Sequence, residues 1–373
     1  MADIIDNEEI DKDTVIPQEL ENQFSQKLTL IAEVNVSQKK SYCNASKKLA
    51  AGLSDNGIEV FEFTNSSLRR VCRLSGHQKG LTEVLFCPNE DHMLYSAGLD
   101  GLVRLWDTRT SGLCALEYKD EQILKPFQCM DVSHLGTMLC AGSQLVEDDA
   151  YLVFWDQRQP VPLGGYWNSH TDDITQVKFH KQRTETIASG SLDGLLNVYD
   201  IMEPTEDDAL TYSLNVENSV EHLTWTGESR VACITQSSDL QLWDTDSGDL
   251  IKTYTRDKVA RSIRRSRGDD CYLVNPFSLK DGSLVLLAGS NGGNGEILRS
   301  VIVTEKKLMP CTNFNENKQI VRCSWYDENS GVLVTGGEGG ALSVWGGAAR
   351  ADAAPCKPAK HRYEPYFNKR NLS

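Results

Sequence analysis

The chain has 373 residues, of which 40% are hydrophobic and 24% charged, and its formal net charge at pH 7 is -15. This is the composition of an ordinary globular protein, which excludes collagen-like and broadly disordered chains, and no apolar run is long enough for a membrane helix. The negative net charge also argues against nucleic acid as the main partner, because binding the phosphate backbone requires a surface dense in basic residues.

The two ends of the chain differ in charge from its body. Residues 1–26 carry eight acidic side chains and one lysine, and we expect a disordered acidic tail that does not resemble a targeting segment. Residues 348–373 are weakly basic, and we expect them to form a flexible tail. A single folded domain is therefore predicted for residues 27–347, in an intracellular protein of the cytoplasm, the nucleus or both.

Cysteine usage agrees with an intracellular location. The chain has 11 cysteines and no Cys-x-x-Cys pair, so they are interpreted as reduced thiols of the core. We expect no metal site and no cofactor.

A repeat of about 45 residues runs through the chain. Its clearest mark is an aromatic residue followed by Asp at the end of an apolar run, at Trp106, Trp155, Tyr199 and Trp243. A second mark is an apolar residue that ends a short alternating strand. It recurs at Ala45, Phe86, Val132, Phe179, Trp225, Phe277 and Trp325. Two series in phase predict seven units.

The second unit shows the predicted secondary structure most clearly. Four short strands are expected, at 68–74, 81–86, 93–97 and 102–106. A four-stranded unit ending in Trp-Asp resembles the WD40 repeat, and seven of them imply an all-β fold, a single closed seven-bladed β-propeller. Residues 27–36 alternate apolar and polar, so we expect an N-terminal strand to complete the last blade and close the ring.

Two sets of polar residues repeat with the same spacing. They are His77, Ser96, Asp100 and Trp106, and His170, Ser189, Asp193 and Tyr199. Ser, His and Asp in one unit suggest a hydrolase. A catalytic domain has one such active site, however, and this set occurs twice, which argues against catalysis. By resemblance to WD40 repeats, these sets are buried hydrogen-bond networks. We therefore predict a structural role for them, no catalytic residue and no enzyme activity.

Several segments can be interpreted either as ligand-binding sites or as ordinary loops. The glycine-rich stretch 289–295 lacks a following Lys-Ser/Thr, which favours a hairpin turn over a phosphate loop. The acidic triplets 147–149 and 206–208 lack the spacing of a calcium loop, which favours solvated acidic loops. The basic segment 252–267 is either a solvated loop or a binding site for an acidic partner or RNA. Its candidate residues are Lys258, Arg261, Arg264, Arg265 and Arg267.

A rigid disc with variable loops is suited to protein recognition. The main prediction is therefore a monomeric propeller that acts as a non-catalytic protein-protein interaction scaffold, away from membranes. A more distant alternative is an assembly factor associated with RNA or chromatin.

A second alternative depends on two arginines. The pairs Trp106-Asp107 and Trp155-Asp156 are followed, two residues after each Asp, by Arg109 and Arg158. This pattern resembles the WDxR box of propeller substrate receptors for cullin-4 ubiquitin ligases, which implies that both arginines face the ligase adaptor. The candidate protein-binding residues are therefore Trp106, Asp107, Arg109, Trp155, Asp156 and Arg158. The alternative interpretation is that each arginine forms an ion pair within the propeller and has only a structural role.

A more specific resemblance is to one family of WD repeat-containing proteins. It is carried by residues 148–156, 169–177, 189–194 and 206–210, which include the enlarged turn of unit three and the acidic segment after unit four. This resemblance implies an intracellular interaction propeller and no particular partner.

Overall fold

The computed structural model describes residues 26–28, 36–43, 48–63, 68–110, 112–120, 124–328 and 331–346. Nearly all of the predicted acidic tail, the whole of the predicted basic tail and the strand-ending Ala45 lie outside these residues. What the structure does describe is a ring of seven four-stranded antiparallel sheets, here called blades.

The strands follow the chain around the ring. The first is β1 (Gln26–Leu28), followed by β2 (Val36–Cys43), β3 (Lys48–Leu53), β4 (Ile58–Phe63) and β5 (Leu68–Leu74) of blade 1, β6 (Leu81–Cys87), β7 (Glu90–Gly98), β8 (Val103–Asp107) and β9 (Cys114–Tyr118) of blade 2, and β10 (Phe127–Val132), β11 (Met138–Ser143), β12 (Leu152–Asp156) and β13 (Pro162–Tyr166) of blade 3.

The remaining strands form blades 4 to 7. They are β14 (Ile174–Phe179), β15 (Thr186–Ser191), β16 (Leu195–Asp200) and β17 (Leu210–Asn215) of blade 4, β18 (Val220–Trp225), β19 (Arg230–Thr235), β20 (Leu240–Asp244) and β21 (Leu250–Tyr254) of blade 5, β22 (Cys271–Ser278), β23 (Leu284–Ser290), β24 (Leu298–Val303) and β25 (Leu308–Asn313) of blade 6, and β26 (Val321–Asp327), β27 (Val332–Gly337) and β28 (Leu342–Gly346) of blade 7.

The N-terminal strand closes the ring. β1 pairs antiparallel with β28, with Lys27 opposite Trp345, and so supplies the fourth strand of blade 7. The first strands of neighbouring blades lie against one another all the way round, including β2 against β26. The predicted closed seven-bladed propeller is therefore confirmed. The predicted extent of the closing strand is wrong at its end, because Val36 already belongs to blade 1.

The sequence repeat and the sheets are out of phase by one strand. The strand predicted to open unit two, β5, is hydrogen-bonded into blade 1, where it pairs with β4. Each sequence unit thus spans two blades. This offset fastens neighbouring blades to each other, because every repeat donates its first strand to the preceding sheet.

Apolar side chains between neighbouring blades form the core. Trp106 and Trp155 are fully buried, and Trp155 packs edge-on against Phe127 of the same blade with ring centroids 5.6 Å apart. Each such fully buried large side chain contributes about 1.5–3 kcal/mol of hydrophobic stabilisation. The nine cysteines between Cys72 and Cys323 are free thiols, and seven of them are buried.

Two short helices lie where loops were predicted. The helix α1 (Glu206–Ala209) falls on the second acidic triplet, and α2 (Arg256–Ser262) falls on the basic segment. The loop prediction is wrong for α1 because Thr205 caps it by accepting a hydrogen bond from the Asp208 N–H, and wrong for α2 because Val259 and Ala260 are buried in the core.

Two 3₁₀ turns complete the described secondary structure. They span Gly268–Asp270 and Gly293–Gly295. The second lies between the paired antiparallel strands β23 and β24, so the glycine-rich stretch is a hairpin connection, as predicted. None of the helices in the described part of the chain is long and apolar enough to cross a membrane.

Candidate functional site

The structure joins the first polar set into one buried hydrogen-bond network in blade 2. His77 Nδ1 lies 2.9 Å from Asp100 Oδ1, and His77 Nε2 lies 2.7 Å from Ser96 Oγ. The Trp106 indole N–H donates to the same Ser96 oxygen over 2.8 Å. Since Ser96 is 0% exposed, its hydroxyl does not face a site where a substrate could be attacked.

The second set forms the equivalent network in blade 4. His170 Nδ1 lies 2.9 Å from Asp193 Oδ2, and its Nε2 lies 2.7 Å from Ser189 Oγ. Tyr199 replaces the indole, and its hydroxyl lies 2.8 Å from Ser169 Oγ. Burial raises the pKa of Tyr199 to about 12, so the phenol stays protonated and keeps its hydrogen bonds.

Both aspartates are held in the ionised form. Burial by itself would raise the pKa of Asp100, but the hydrogen bond and charge of His77 and the Gln78 N–H outweigh it and lower the pKa. At Asp193, burial likewise would raise the pKa, but the interactions with His170 and the Thr171 N–H outweigh it and lower the pKa. Each carboxylate thus stabilises its own blade through charge-assisted hydrogen bonds.

The tryptophans of two other blades have other hydrogen-bond acceptors, one of which, Thr335, stands ten residues before its tryptophan as Ser96 does. In blade 5 the Trp243 indole N–H donates to Gln241 Oε1 over 2.9 Å, and in blade 7 Trp345 donates to Thr335 Oγ1 over 2.9 Å. The signal in the sequence was a polar residue two positions before the tryptophan in the first case and ten before it in the second.

The arginines of the two Trp-Asp-x-Arg segments fold back on their own aspartates. Arg109 Nε lies 3.0 Å from Asp107 Oδ1, and Arg158 Nε lies 2.9 Å from Asp156 Oδ1. The hydrogen bond from each arginine lowers the pKa of its aspartate to about 2. The arginine side chains nevertheless remain 65% and 76% exposed.

The tryptophans of these segments cannot take part in a surface contact. Trp106 is 1% exposed and Trp155 is 0% exposed, because both lie in the core between blades. Naming them as protein-binding candidates is therefore corrected, and Asp107, Arg109, Asp156 and Arg158 remain as accessible candidates.

The basic segment forms a compact surface around α2. Lys258, Arg261, Arg264 and Arg267 are exposed, whereas Arg265 is half-buried and forms an ion pair with Asp270. Burial lowers the pKa of Arg299 on β24, and the neighbouring charges of Arg264 and Arg265 lower it further. The charges of Arg264 and Arg265 therefore act on the Arg299 guanidinium, while the ion pair with Asp270 offsets part of the charge of Arg265.

The two acidic triplets have different surroundings. Residues 147–149 lie in the turn between β11 and β12, closed by a bridge between Val146 and Asp149. In the other triplet, Glu206 accepts hydrogen bonds from the N–H groups of Trp167 and Ser169, so it is not a freely solvated residue. Within the described ranges, no group of three or more His, Cys, Asp or Glu side chains is arranged to hold a metal ion.

A cleft that the sequence did not indicate opens between blades 3 and 4. It has a volume of about 570 Å³ and lies between the sheet of blade 3 and the segment that follows β16. The blade 3 wall contains Met138, Phe154 and residues 163–168, and the opposite wall is formed by Ile201 and residues 203–207. Leu163 and Trp167 in this cleft are 61% and 47% exposed.

Comparisons with known proteins agree with the fold. Residues 68–107 and 163–200 match the family model of the WD domain, G-beta repeat, so the recognition of WD40 repeats is confirmed. The first of these segments runs from β5 to β8, and the second from within β13 to β16.

The chain is also similar to whole WD-repeat proteins. WD repeat-containing protein 89 homolog of Dictyostelium discoideum is 25% identical over 80% of this chain and 79% of its own. This similarity confirms the resemblance to one family of WD repeat-containing proteins that residues 148–156, 169–177, 189–194 and 206–210 indicated. An uncharacterized WD repeat-containing protein of Schizosaccharomyces pombe is 25% identical over 76% of this chain and 88% of its own. A chain in the crystal structure of the mitotic checkpoint complex aligns with a TM-score of 0.68 at 13% identity, covering 93% of this chain and 98% of that one, and so supports the fold alone.

Proposed function

We propose that this propeller is a non-catalytic protein-protein interaction scaffold. The observation that carries the proposal is the distribution of exposed apolar side chains. Among the described residues, Leu163 and Trp167 line the blade 3/4 cleft and are 61% and 47% exposed, and Met202, which is 78% exposed, lies between the lining residues Ile201 and Glu203. Exposed apolar side chains grouped at a cleft are typical of a protein interaction site.

The hydrogen-bond networks support the non-catalytic part of the proposal. In both networks the serine oxygen is buried and already engaged with the histidine and with a Trp or Tyr side chain. Function is then expected to reside in the surfaces and loops.

The scaffold proposal is tested by quantitative affinity purification from cells. We expect a reproducible set of proteins to copurify with the wild-type chain and with Leu113→Asp, which alters an exposed apolar residue of blade 2. The set is expected to shrink for Leu163→Asp, which places a charge in the cleft. If no protein copurifies above a tag-only control, the proposal is wrong.

A second candidate function is that of a substrate receptor of a cullin-4 ubiquitin ligase. Arg109 and Arg158 follow the third strands of adjacent blades, β8 and β12, so they project on the same face of the ring. Their exposed guanidinium groups support this candidate, although the ion pairs to Asp107 and Asp156 are equally expected for a purely structural role.

The receptor candidate is tested with the double variant Arg109→Ala, Arg158→Ala. Recovery of the cullin-4 adaptor by wild type and by the control Arg230→Ala, but not by the double variant, would support it, provided that all three proteins melt alike. Equal recovery of the adaptor by all three proteins, or recovery by none of them, would show that Arg109 and Arg158 do not bind the adaptor.

A further inference from the structure

The blade 3/4 cleft exists because one side chain of a recurring set is missing. In blades 1 to 6, one residue of the third strand lies opposite a residue of the fourth strand just before a shift in register. In blades 1, 2, 4, 5 and 6 the fourth-strand residue is Cys72, Leu116, Tyr212, Lys252 and Thr312. In blade 3 it is Gly164, opposite Phe154.

The space above Gly164 is free. A Cβ atom built on Gly164 would meet no atom within 4 Å, and the residue itself is exposed. The adjacent Gly165 does not share this property, because a Cβ atom there would lie 2.7 Å from the Leu152 carbonyl oxygen. The opening is therefore local to the one position that other blades fill with a side chain.

The floor of the opening is continuous with the hydrophobic core. Phe154 belongs to the apolar cluster between blades 3 and 4, and Met138, Tyr166 and Ile201 pack against that cluster. Tyr166 contacts Phe154 with ring centroids 5.1 Å apart and stacks on Tyr199 at 5.2 Å. A large apolar side chain entering above Gly164 would extend this core and be removed from water.

The opposite wall is acidic and held in place. Glu203 and Asp207 are exposed, whereas Glu206 accepts hydrogen bonds from the N–H groups of Trp167 and Ser169 over 2.8 and 2.9 Å. These bonds fix α1 to the chain segment that follows β13, so the two walls are tied together. The exposed carboxylates leave a negative rim beside an apolar floor, which favours a positively charged neighbour.

We propose that this cleft binds a short segment of a partner protein in which a large aliphatic or aromatic side chain is next to lysine or arginine. The apolar side chain occupies the place of the missing side chain at Gly164, and the basic residue faces Glu203 and Asp207. This inference rests on the proposed scaffold function and names the chemistry of one partner segment.

The structure supplies a variant that fills the cleft from within. Gly164→Tyr introduces the residue that blade 4 carries at the equivalent position, Tyr212, and no backbone atom opposes its Cβ. Because glycine weakens a strand interior, the variant is expected to melt at the same temperature as wild type or higher. Leu113→Tyr, at an exposed apolar position of blade 2, is the matched control.

The test is selection of displayed random peptides on the purified chain, followed by titration of fluorescein-labelled peptides with a Leu or Trp flanked by Lys or by Glu. We expect the lysine-flanked peptides to bind and to bind less tightly at high salt. Affinity should fall about tenfold or more for Gly164→Tyr and stay unchanged for Leu113→Tyr. For Glu203→Lys with Asp207→Lys, the preference should change to the glutamate-flanked peptides.

Three outcomes would overturn the proposal: preference of the wild type for glutamate-flanked peptides, binding that Gly164→Tyr leaves unchanged, or no binding of either peptide series. The last two leave the scaffold function open, because the affinity purification described above reports on partners at any surface. If no protein copurified with the wild-type chain above the tag-only control in that experiment, the scaffold function itself would be wrong.

Discussion

The blade 2 network gives a quantitative prediction for Asp100→Ala. Asp100 contacts His77 Nδ1 at 2.9 Å, the Gln78 N–H at 3.1 Å and Arg104 Nη1 at 3.2 Å, and its side chain is 8% exposed. Removing the carboxylate leaves the buried His77 Nδ1 without its partner and takes one of two carboxylate partners from the buried Arg104, which keeps Glu117. Hydrogen bonds to a charged group contribute about 1.5–3 kcal/mol each, and breaking a buried pair costs about 3–5 kcal/mol. We expect a loss of roughly 3–5 kcal/mol in the free energy of unfolding.

The assay is thermal unfolding followed by circular dichroism at a fixed scan rate. For a domain of this size a loss of 1 kcal/mol lowers the melting temperature by about 2 °C, so the expected shift is roughly 6–10 °C. Asp148→Ala, which removes an exposed carboxylate from the turn after β11, should shift melting by less than about 1 °C. Equal melting of Asp100→Ala and Asp148→Ala would refute the structural role of the network.

Further predictions concern the ring, acid stability and the basic surface. Deleting residues 1–28 removes β1 and leaves β28 paired with β27 alone, so it should lower the melting temperature by more than about 5 °C, whereas deleting 1–20 should not; equal melting would show that β1 does not close the ring. The lowered pKa values of Asp100 and Asp193 stabilise the fold above about pH 4, the ordinary range of an unfolded aspartate, and this contribution is lost as pH falls through the lower folded values. The stability difference between wild type and Asp100→Asn, measured by urea unfolding, should therefore narrow below about pH 4, and a constant difference would contradict this. Arg261→Glu with Arg264→Glu should lower the salt concentration at which the protein elutes from heparin, and unchanged elution would show that the basic surface does not bind anions.

The propeller could be predicted because its determinants are local and repeated. The Trp-Asp ends of the third strands recur at nearly constant spacing, and the histidine, serine and aspartate of a network lie within one sequence unit. The assignment of β5 to blade 1 could not be read from the repeat, because the sequence unit is out of phase with the hydrogen-bonded sheet.

The helices and the cleft depend on contacts that no short window contains. Within α2, Val259 and Ala260 are buried by strands on both sides of the segment, which a count of basic residues does not reveal. The cleft requires the register that places Gly164 opposite Phe154, and a helix about 40 residues later whose Glu206 binds the chain at Trp167. A glycine pair in a strand was visible in the sequence, but its partner across the sheet was not.

The most direct test of an interaction scaffold is the mass of the endogenous particle that contains this chain. The tagged protein would be purified gently from cells and measured by native mass spectrometry, beside Leu163→Asp as the cleft variant and Leu113→Asp as its control. We predict a particle heavier than the tagged chain, that is, 41.5 kDa plus the tag, for wild type and for the control, with loss of mass for the cleft variant. Particles with the mass of the tagged chain alone in all three preparations would contradict the scaffold function.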